Sequence, residues 1–476
     1  MSSLKQLEIL DLSHNSFSGP AWPALSGLAS IQSLNLSGNG FSGELPDFAN
    51  HPSLIALNTS NNGFSGELHF QSCNSSSVGL RVLDLSMNHL VGGLDGIEKC
   101  GKSLLQLHLE MNSLSGGLPE SLYLLSSLQQ LSLSGNNFSG SLSQNLSNLS
   151  GLKNLLISGN RFSGPIPDVF GSLPQLEQLA THTNLFSGPI PSSLALCPSL
   201  RLLDLRNNSL SGSINLDFTR LPLLATLDIA SNHFSGPLPD TLSGCLELRI
   251  LSLAKNRFSG EVPASYGKLR SLSFLSLSNN SITNLSGALS ILQQCNDLST
   301  LILAKNFRGE ELPGNISGLN NLTVLGLGNC GLSGEVPPWM LNCPKLEVLD
   351  LSWNRLSGAI PSWIGKMANL FYLDLSNNTL TGEIPKSLSE LGSLYSLNSN
   401  SLNTSSSSGI PLYVKRNQSS SGLQYNQVSN FPPSIYLSNN RINGTIPPEI
   451  GRLIRLHVLD LSSNNITGTI PSSLSG

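Results

Sequence analysis

A nine-residue pattern of leucines ending in asparagine recurs along the chain. The pattern L-x-x-L-x-L-x-x-N first occupies residues 7–15, and its final asparagine returns mostly at 24-residue intervals, as from Asn112 to Asn136. Seventeen asparagines share this position: Asn15, Asn39, Asn62, Asn88, Asn112, Asn136, Asn160, Asn184, Asn208, Asn232, Asn256, Asn280, Asn306, Asn354, Asn378, Asn440 and Asn464. Cys330 takes the place of the asparagine once. A period of this length is typical of leucine-rich repeats.

The pattern predicts one structural unit for each repeat. The L-x-L segment alternates apolar and polar positions, which predicts a short strand with both leucines facing inward. The asparagine is predicted to turn the chain and to satisfy buried backbone groups. The second half, as in Phe162 to Pro167, is predicted to be the convex return, shaped by glycine and proline. Because one unit cannot bury its leucines alone, the sequence predicts an α/β repeat solenoid, a leucine-rich repeat superhelix with a concave parallel β-sheet.

The repeat pattern fails once, between Asn378 and Asn440. The interrupting segment begins with polar residues and then contains the strand-like stretch Ile410 to Arg416. It is either a tolerated surface loop or a functional insertion, and long insertions on rigid scaffolds are commonly functional. We therefore expect repeats over 1–397, a non-repeat insertion over 398–431 and further repeats over 432–476. The chain begins and ends within the pattern, so we expect it to be a fragment of a longer protein.

Composition narrows the class of protein further. Of the 476 residues 39% are hydrophobic, 11% charged and 6% aromatic, which excludes coiled coils, collagen and acidic disordered chains. The net charge of −4 argues against nucleic-acid binding. There is no run of 18 apolar residues that could cross a bilayer, and this says nothing about a longer parent protein.

N-x-[ST] sequons are frequent, which favours a secreted or lumenal location. The candidate glycosylation sites are Asn74, Asn145, Asn284, Asn315, Asn321, Asn417 and Asn443.

The seven cysteines have two expected roles. Four of them stand three residues before the first leucine of a repeat and are predicted to be buried thiols: Cys197, Cys245, Cys295 and Cys343. Cys73 and Cys100 lie in irregular stretches and are candidates for a disulfide. Since seven is odd, not every cysteine can be bridged within the chain.

One catalytic-type motif occurs and is rejected. Residues 96–103 match the phosphate-loop pattern G-x-x-x-x-G-K-[ST]. A phosphate loop needs a strand before it and a helix after it, whereas here a predicted strand, residues 104–109, follows. The eight histidines show no metal-ligand spacing. We therefore predict no catalytic site, metal or cofactor.

The outward positions of the strands form the predicted ligand-binding side. Small residues and hydroxyls dominate its centre, Arg206 lies towards one end and Asp350 further along. The alternative is a solvated face with scattered charges.

The insertion makes a resemblance specific. Together with L-x-G-x-I-P repeats, its stretches Val414 to Asn417, Gly422 to Gln427 and Phe431 to Leu437 resemble the phytosulfokine receptors of plants, nearer the second type. The resemblance implies a plant-type leucine-rich repeat ectodomain whose insertion is an island domain. It implies a plasma-membrane protein that binds a tyrosine-sulfated peptide hormone on its extracellular side. It also implies a co-receptor kinase of the somatic-embryogenesis type, and a membrane helix and Ser/Thr kinase domain that are missing here.

The resemblance also implies a set of ligand-binding residues. These are Arg206, Ser252, Ser276, Ser278, Asp350, Tyr413, Val414 and Lys415. Arginine and lysine give charge-assisted hydrogen bonds to a sulfate ester, and the Tyr413 to Lys415 segment can add a strand to an extended peptide. Two alternatives remain open: a receptor for a related sulfated peptide, and a non-signalling leucine-rich repeat scaffold or decoy.

Overall fold

The computed structural model describes residues 4–45, 51–68, 70, 79–395, 412–414, 423–425 and 431–475. The chain divides into two compact units, Met1–Phe234 and Ser235–Gly476.

In both units the L-x-L segments form parallel strands. The first unit has Ile9–Asp11, Ser33–Asn35, Ala56–Asn58, Val82–Asp84, Gln106–His108, Gln130–Ser132, Asn154–Leu156, Gln178–Ala180, Leu202–Asp204 and Thr226–Asp228. The second has Ile250–Ser252, Phe274–Ser276, Thr300–Ile302, Val324–Gly326, Val348–Asp350, Tyr372–Asp374, Ser434–Tyr436 and Val458–Asp460. Within a unit each strand pairs with the next at equivalent positions, so that Leu155 lies opposite Leu179 and both are fully buried. The predicted leucine-rich repeat solenoid with a parallel sheet is confirmed.

The second halves, for which the sequence predicted only a convex return, form a second set of parallel strands in many repeats. These are Ser18–Pro20, Gly40–Gly43, Gly63–Glu67, His89–Val91, Ser115–Gly116, Asn137–Gly140, Arg161–Pro165, Leu185–Gly188, Ser209–Gly212, His233–Gly236, Arg257–Gly260 and Ser281–Ile282. In some second halves a phenylalanine stacks on that of the next repeat, with ring centroids 6.2 Å apart for Phe138–Phe162 and 6.1 Å apart for Phe162–Phe186. Stacking adds to the strand pairing where phenylalanines are present, whereas Ser209–Gly212 forms such a strand around Leu210.

The return of each repeat is mostly a short 3-10 helix. These helices are Ile97–Cys100, Glu120–Leu124, Gln144–Asn148, Phe170–Ser172, Ser192–Leu196, Phe218–Arg220, Asp240–Gly244, Ala264–Lys268, Pro338–Asn342, Ser362–Lys366, Lys386–Glu390, Pro448–Arg452 and Ser472–Ser475. The α-helices are Trp22–Leu25, Leu285–Leu292 and Gly392–Tyr395. A proline commonly precedes the 3-10 turn because its fixed φ suits a helix start.

The asparagines form the predicted ladder of buried hydrogen bonds. The Asn160 amide donates to the carbonyls of Leu133 at 2.9 Å, Ile157 at 3.2 Å and Ser158 at 3.2 Å. Its oxygen accepts the Phe138 amide proton at 3.0 Å. One side chain thus satisfies groups of its own repeat and of the preceding one, as predicted.

The sheet continues past the insertion without a gap. Strand Tyr372–Asp374 pairs directly with Ser434–Tyr436, and the Asn440 amide donates to the Leu375 carbonyl at 3.0 Å. Within the insertion Leu412–Val414 and Leu423–Tyr425 form an antiparallel pair. The Phe431 ring meets Tyr372 edge-on, with centroids 5.2 Å apart, where the chain rejoins the repeats.

The cysteine prediction is confirmed for the four buried thiols. Cys197, Cys245, Cys295 and Cys343 are free and buried, and burial raises the pKa of each thiol to about 11 or 12. Cys100 is disulfide-bonded, and its predicted partner Cys73 lies outside the described residues.

The phosphate-loop motif lies in a repeat, as predicted. After Gly96 there is a single 3-10 turn, Ile97–Cys100, and the next element is strand Gln106–His108. Over the described ranges, no three His, Cys, Asp or Glu side chains are placed to hold a metal ion. In the same ranges no helix has the length and apolar character needed to cross a bilayer.

Candidate ligand-binding face

Three of the predicted ligand-binding residues come together on neighbouring strands of the second unit. Ser252 and Ser276 lie opposite each other in register. Ser276 and Ser278 share a hydrogen bond of 3.3 Å between their hydroxyl oxygens, and the Ser278 hydroxyl lies 3.4 Å from the Ile302 carbonyl. Ser252 and Ser276 are buried, and Ser278 is half-buried. The three serines form a hydroxyl-lined floor.

Glycines keep this floor flat towards Asp350. In register Ser276 is followed by Ile302, Gly326 and then Asp350, three strands further on. At a strand spacing of about 4.8 Å this separates Ser276 from Asp350 by about 14 Å. A Cβ at Gly328 would lie 3.0 Å from both Asp350 carboxylate oxygens, so a side chain at this position would crowd the carboxylate.

Asp350 has a second carboxylate directly beside it. Asp374 lies opposite it on the next strand, and each Oδ1 accepts bonds from the amide and hydroxyl of the serine two residues on, Ser352 or Ser376. Burial raises the pKa of Asp350, and burial together with the charge of Asp350 raises the pKa of Asp374 to about 7. The paired carboxylates therefore hold a proton more readily than ordinary aspartates do.

Arg206 lies in the first unit and is ion-paired within it. Its Nη1 lies 3.2 Å from Asp228 Oδ2, and its Nε lies 3.5 Å from Asp204 Oδ2. The Asp228 side chain is 3% exposed and that of Arg206 is 22% exposed. Since a guanidinium carries five N–H donors, Arg206 can hold Asp228 and still present donors to a ligand.

The surroundings of Arg206 shift two further groups. Burial raises the pKa of Asp204 to about 6, although the nearby Arg206 opposes the shift. Burial and then the Arg206 charge lower the pKa of His182 to about 4, so this histidine is neutral at pH 7. A neutral His182 leaves Arg206 as the cation of this cluster.

The described part of the insertion consists of two short strands. Tyr413 pairs with Gln424 and Val414 with Leu423 in the antiparallel pair. Lys415 lies outside the described residues. Ligand binding by Tyr413, Val414 and Lys415 therefore stays a prediction.

The candidate glycosylation sites differ in what their amides do. Asn145, Asn284, Asn315 and Asn443 are exposed and Asn321 is half-buried, while Asn74 and Asn417 lie outside the described residues. The side-chain amides of three sites are engaged: Asn145 donates to Glu120 at 2.8 Å, Asn284 to Glu261 at 3.0 Å and Asn321 to the Asn296 carbonyl at 2.8 Å. Within the described ranges the side-chain amides of Asn315 and Asn443 make no such bond.

Sequence reasoning missed two features of this face. The Asp350–Asp374 pair has a sequence signal, because both aspartates occupy the same place in an L-D-L-S segment. The Arg206–Asp228 pair also has a sequence signal, because the two residues stand 22 positions apart, which is close to the length of one repeat.

The family model described as leucine-rich repeat matches residues 1–41 and 344–403. A second model of the same description matches residues 127–149, 151–173, 199–221, 223–245, 321–343, 433–453 and 455–476.

Two curated relatives from Arabidopsis thaliana share part of this sequence. Phytosulfokine receptor 2 is 76% identical over 134 residues, which is 28% of this chain and 13% of the receptor. Phytosulfokine receptor 1 is 50% identical over 52 residues, which is 11% of this chain and 5% of the receptor. The matched regions are therefore a small part of either relative.

Two solved structures cover nearly the whole chain. The ectodomain of the Arabidopsis receptor kinase HAESA, in complex with an N-terminally extended IDA peptide hormone, is 31% identical with a TM-score of 0.78. The alignment covers 99% of this chain and 72% of the HAESA chain. HAESA in complex with IDA and the co-receptor SERK1 is 27% identical with a TM-score of 0.67, over 100% of this chain and 81% of that one. Together with the repeat architecture, these matches establish that the chain belongs to the leucine-rich repeat family.

Proposed function

We propose that this chain is the extracellular ligand-binding domain of a plant receptor-like kinase that perceives a tyrosine-sulfated peptide hormone, phytosulfokine. The peptide lies between the island, residues 398–431, and the open face of the sheet. Binding recruits a leucine-rich repeat co-receptor kinase of the somatic-embryogenesis type. The parent protein lies in the plasma membrane through a segment outside this chain and carries the kinase domain.

The observation that carries the proposal is the flat hydroxyl floor of Ser252, Ser276 and Ser278. An extended peptide backbone can approach the three small serine side chains closely, and Ile302 borders the floor beside Ser276. The identity to phytosulfokine receptor 2 supports the same ligand class. The structure of HAESA with IDA and the co-receptor SERK1 supports binding of a co-receptor, because it aligns with the whole of this chain.

Arg206 and Lys415 are proposed to bind the sulfate groups. A sulfate ester accepts charge-assisted hydrogen bonds from both residue types. Tyr413 and Val414 are proposed to offer main-chain groups to the peptide, because they already lie in a β-strand.

Calorimetric titration with sulfated and unsulfated phytosulfokine pentapeptide tests the proposal. We expect the sulfated peptide to bind at least tenfold more tightly, and Lys415→Gln to remove most of that difference. Lys386→Gln is the matched control, because Lys386 pairs with Glu449 outside the floor. Equal affinity for both peptides contradicts the proposal.

A non-signalling scaffold or decoy is the second candidate, favoured by the ion pairs of Arg206 with Asp204 and Asp228. An arginine already held by two aspartates of its own chain has less charge to offer a ligand. If this candidate holds, no pentapeptide binds and Lys415→Gln changes nothing.

A further inference from the structure

The second unit contains a cavity of about 580 Å³ whose lining carries three cationic side chains and no acidic one. The cations are Lys305, Arg308 and Arg355, and Asn279 and Asn329 add side-chain amides. We call this the basic pocket. Its volume lies within the range of about 300–1,000 Å³ that is usual for ligand sites.

A change in the repeat pattern creates the basic pocket. In a regular repeat a core phenylalanine stands two residues after the ladder asparagine, as Phe258 does after Asn256, and it is fully buried. In the next repeat but one, Phe307 directly follows Asn306 and fills the core with φ of 51°. Arg308 then takes the place of the core aromatic residue and is exposed.

One repeat later, Gly331 leaves further space in the lining of the basic pocket. Gly331 follows Cys330 where Arg355 and Arg257 follow their ladder asparagines. Its φ is 65°, in the left-handed region that glycine favours, and it has no side chain to fill the space beside Arg308.

The two arginines of the basic pocket are not ion-paired within the described part of the chain. Within the described ranges neither Arg308 nor Arg355 has an acidic partner within ion-pair distance. Two acids of these repeats are bound elsewhere. Glu310 accepts the backbone amides of Asn284 at 2.8 Å and Leu285 at 2.6 Å, and Asp350 accepts bonds from Ser352.

We propose that the basic pocket binds an oxyanion group, sulfate or carboxylate, of an acidic ligand. Arg308 and Arg355 present planar forks of N–H donors that match the oxygens of such groups, and Lys305 adds a point charge. The amides of Asn279 and Asn329 can donate to the remaining oxygens.

This inference does not depend on the proposed function, because it uses none of the proposed hormone-binding residues. Asn279 directly follows Ser278, so the basic pocket adjoins the serine floor. A ligand lying on that floor can therefore place an anionic group in the pocket, and a separate acidic ligand can also enter it.

Titration with inorganic sulfate and with citrate, followed by calorimetry and by melting temperature at low ionic strength, tests the proposal. We expect sulfate or citrate to bind the natural chain and Arg308→Gln/Arg355→Gln to weaken that binding at least tenfold. The matched control is Arg161→Gln/Arg257→Gln, which makes the same charge change at exposed arginines that each follow a ladder asparagine. The control should bind like the natural chain.

The relative strength of the two probes identifies the ligand chemistry. Tighter binding of sulfate assigns a sulfate ester, and tighter binding of citrate assigns carboxylates. If neither probe binds, or if the control loses as much affinity as the pocket variant, the proposal is overturned. Arg355→Gln alone, a change at an exposed side chain, gives the same comparison if the double variant does not fold.

Discussion

Asp350 and Asp374 lie opposite each other on adjacent strands, and each carboxylate accepts two hydrogen bonds from a serine of its own strand. Because both carboxylates are buried and close together, a negative charge on both of them at once is disfavoured. Its protonation links the candidate ligand-binding face to pH.

The first prediction concerns stability against pH. The pKa of Asp374 is raised to about 7 in the folded state, above its unfolded value. Its contribution to stability is therefore complete below about pH 4 and is lost as pH rises through about 7. We expect Asp374→Asn to stabilise the chain at pH 8, by at most on the order of 4 kcal/mol, and to change little at pH 4.

Thermal unfolding at pH 4, 6 and 8 measures this effect. The asparagine is tolerated, because Asn35 already accepts the same two bonds from Ser37. Asp84→Asn is the control, since Asp84 binds Ser86 in the same way but lies between Asn58 and His108 in register. A pH dependence unchanged by Asp374→Asn would show that the pair holds no shared proton.

The second prediction concerns the partner of Arg206. Arg206→Gln leaves the buried Asp228 without its cation, so we expect the free energy of unfolding to fall by about 3–5 kcal/mol. Adding Asp228→Asn should restore most of it. Urea unfolding of both single variants and the double variant gives the coupling, with exposed Arg201→Gln as control. Additive effects would mean that the pair contributes nothing.

The third prediction concerns the asparagine ladder. Asn160→Ala removes four hydrogen bonds and leaves buried carbonyls unsatisfied. We expect a loss of about 3 kcal/mol or more, since each unsatisfied buried group costs about 1–3 kcal/mol. Exposed Asn137→Ala should cost less than about 0.5 kcal/mol in the same urea titration. Similar losses for the two variants would rule out the ladder as a main source of stability.

Thiol chemistry gives the fourth prediction. The buried thiols Cys197, Cys245, Cys295 and Cys343 have raised pKa values, so little thiolate is present at pH 8. We expect iodoacetamide to label them only after unfolding, as read by peptide mass spectrometry. Rapid labelling of any of them in the folded chain would contradict its buried position.

Glycan occupancy gives the fifth prediction. The amide of Asn321 donates to the Asn296 carbonyl, while its oxygen accepts the Lys345 ammonium at 2.7 Å. We expect exposed Asn315 and Asn443 to carry glycans more fully than Asn321 when the chain is secreted from plant cells. Glycopeptide mass spectrometry gives the occupancies, and a higher value at Asn321 would count against the link to amide bonding.

The fold was largely predictable because the same pattern of leucines and asparagine recurs in nearly every repeat. Leu155 and Leu179 stand 24 positions apart with the same neighbours, and period-2 alternation can place such leucines only on the inner face of a strand. The second set of strands was not predictable in this way. Phe162-Ser163-Gly164 alternates too briefly to indicate a strand, and its extended form is seen only in its parallel pairing with the equivalent strands of the neighbouring repeats.

The site was predictable only in part. Outward positions such as Ser252 and Ser276 follow from the repeat pattern, and their proximity follows from the register. The ion-pair partner of a charged residue can lie in the adjacent repeat. Arg206 was therefore identified from its own repeat, whereas its pairing with Asp228 of the next repeat was missed. The basic pocket arises from a one-residue shift of Phe307, which matters only once the core is packed.

Asn440 makes to Leu375 and Leu380 the same hydrogen bonds that other ladder asparagines make to the repeat before them, although an insertion separates the two repeats in sequence. The hydrogen bonds between these two repeats therefore do not depend on the length of the inserted segment. The two flanking repeats are joined directly by these hydrogen bonds, whatever segment lies between them in sequence. A different segment can therefore stand at this point while every rung of the asparagine ladder is kept.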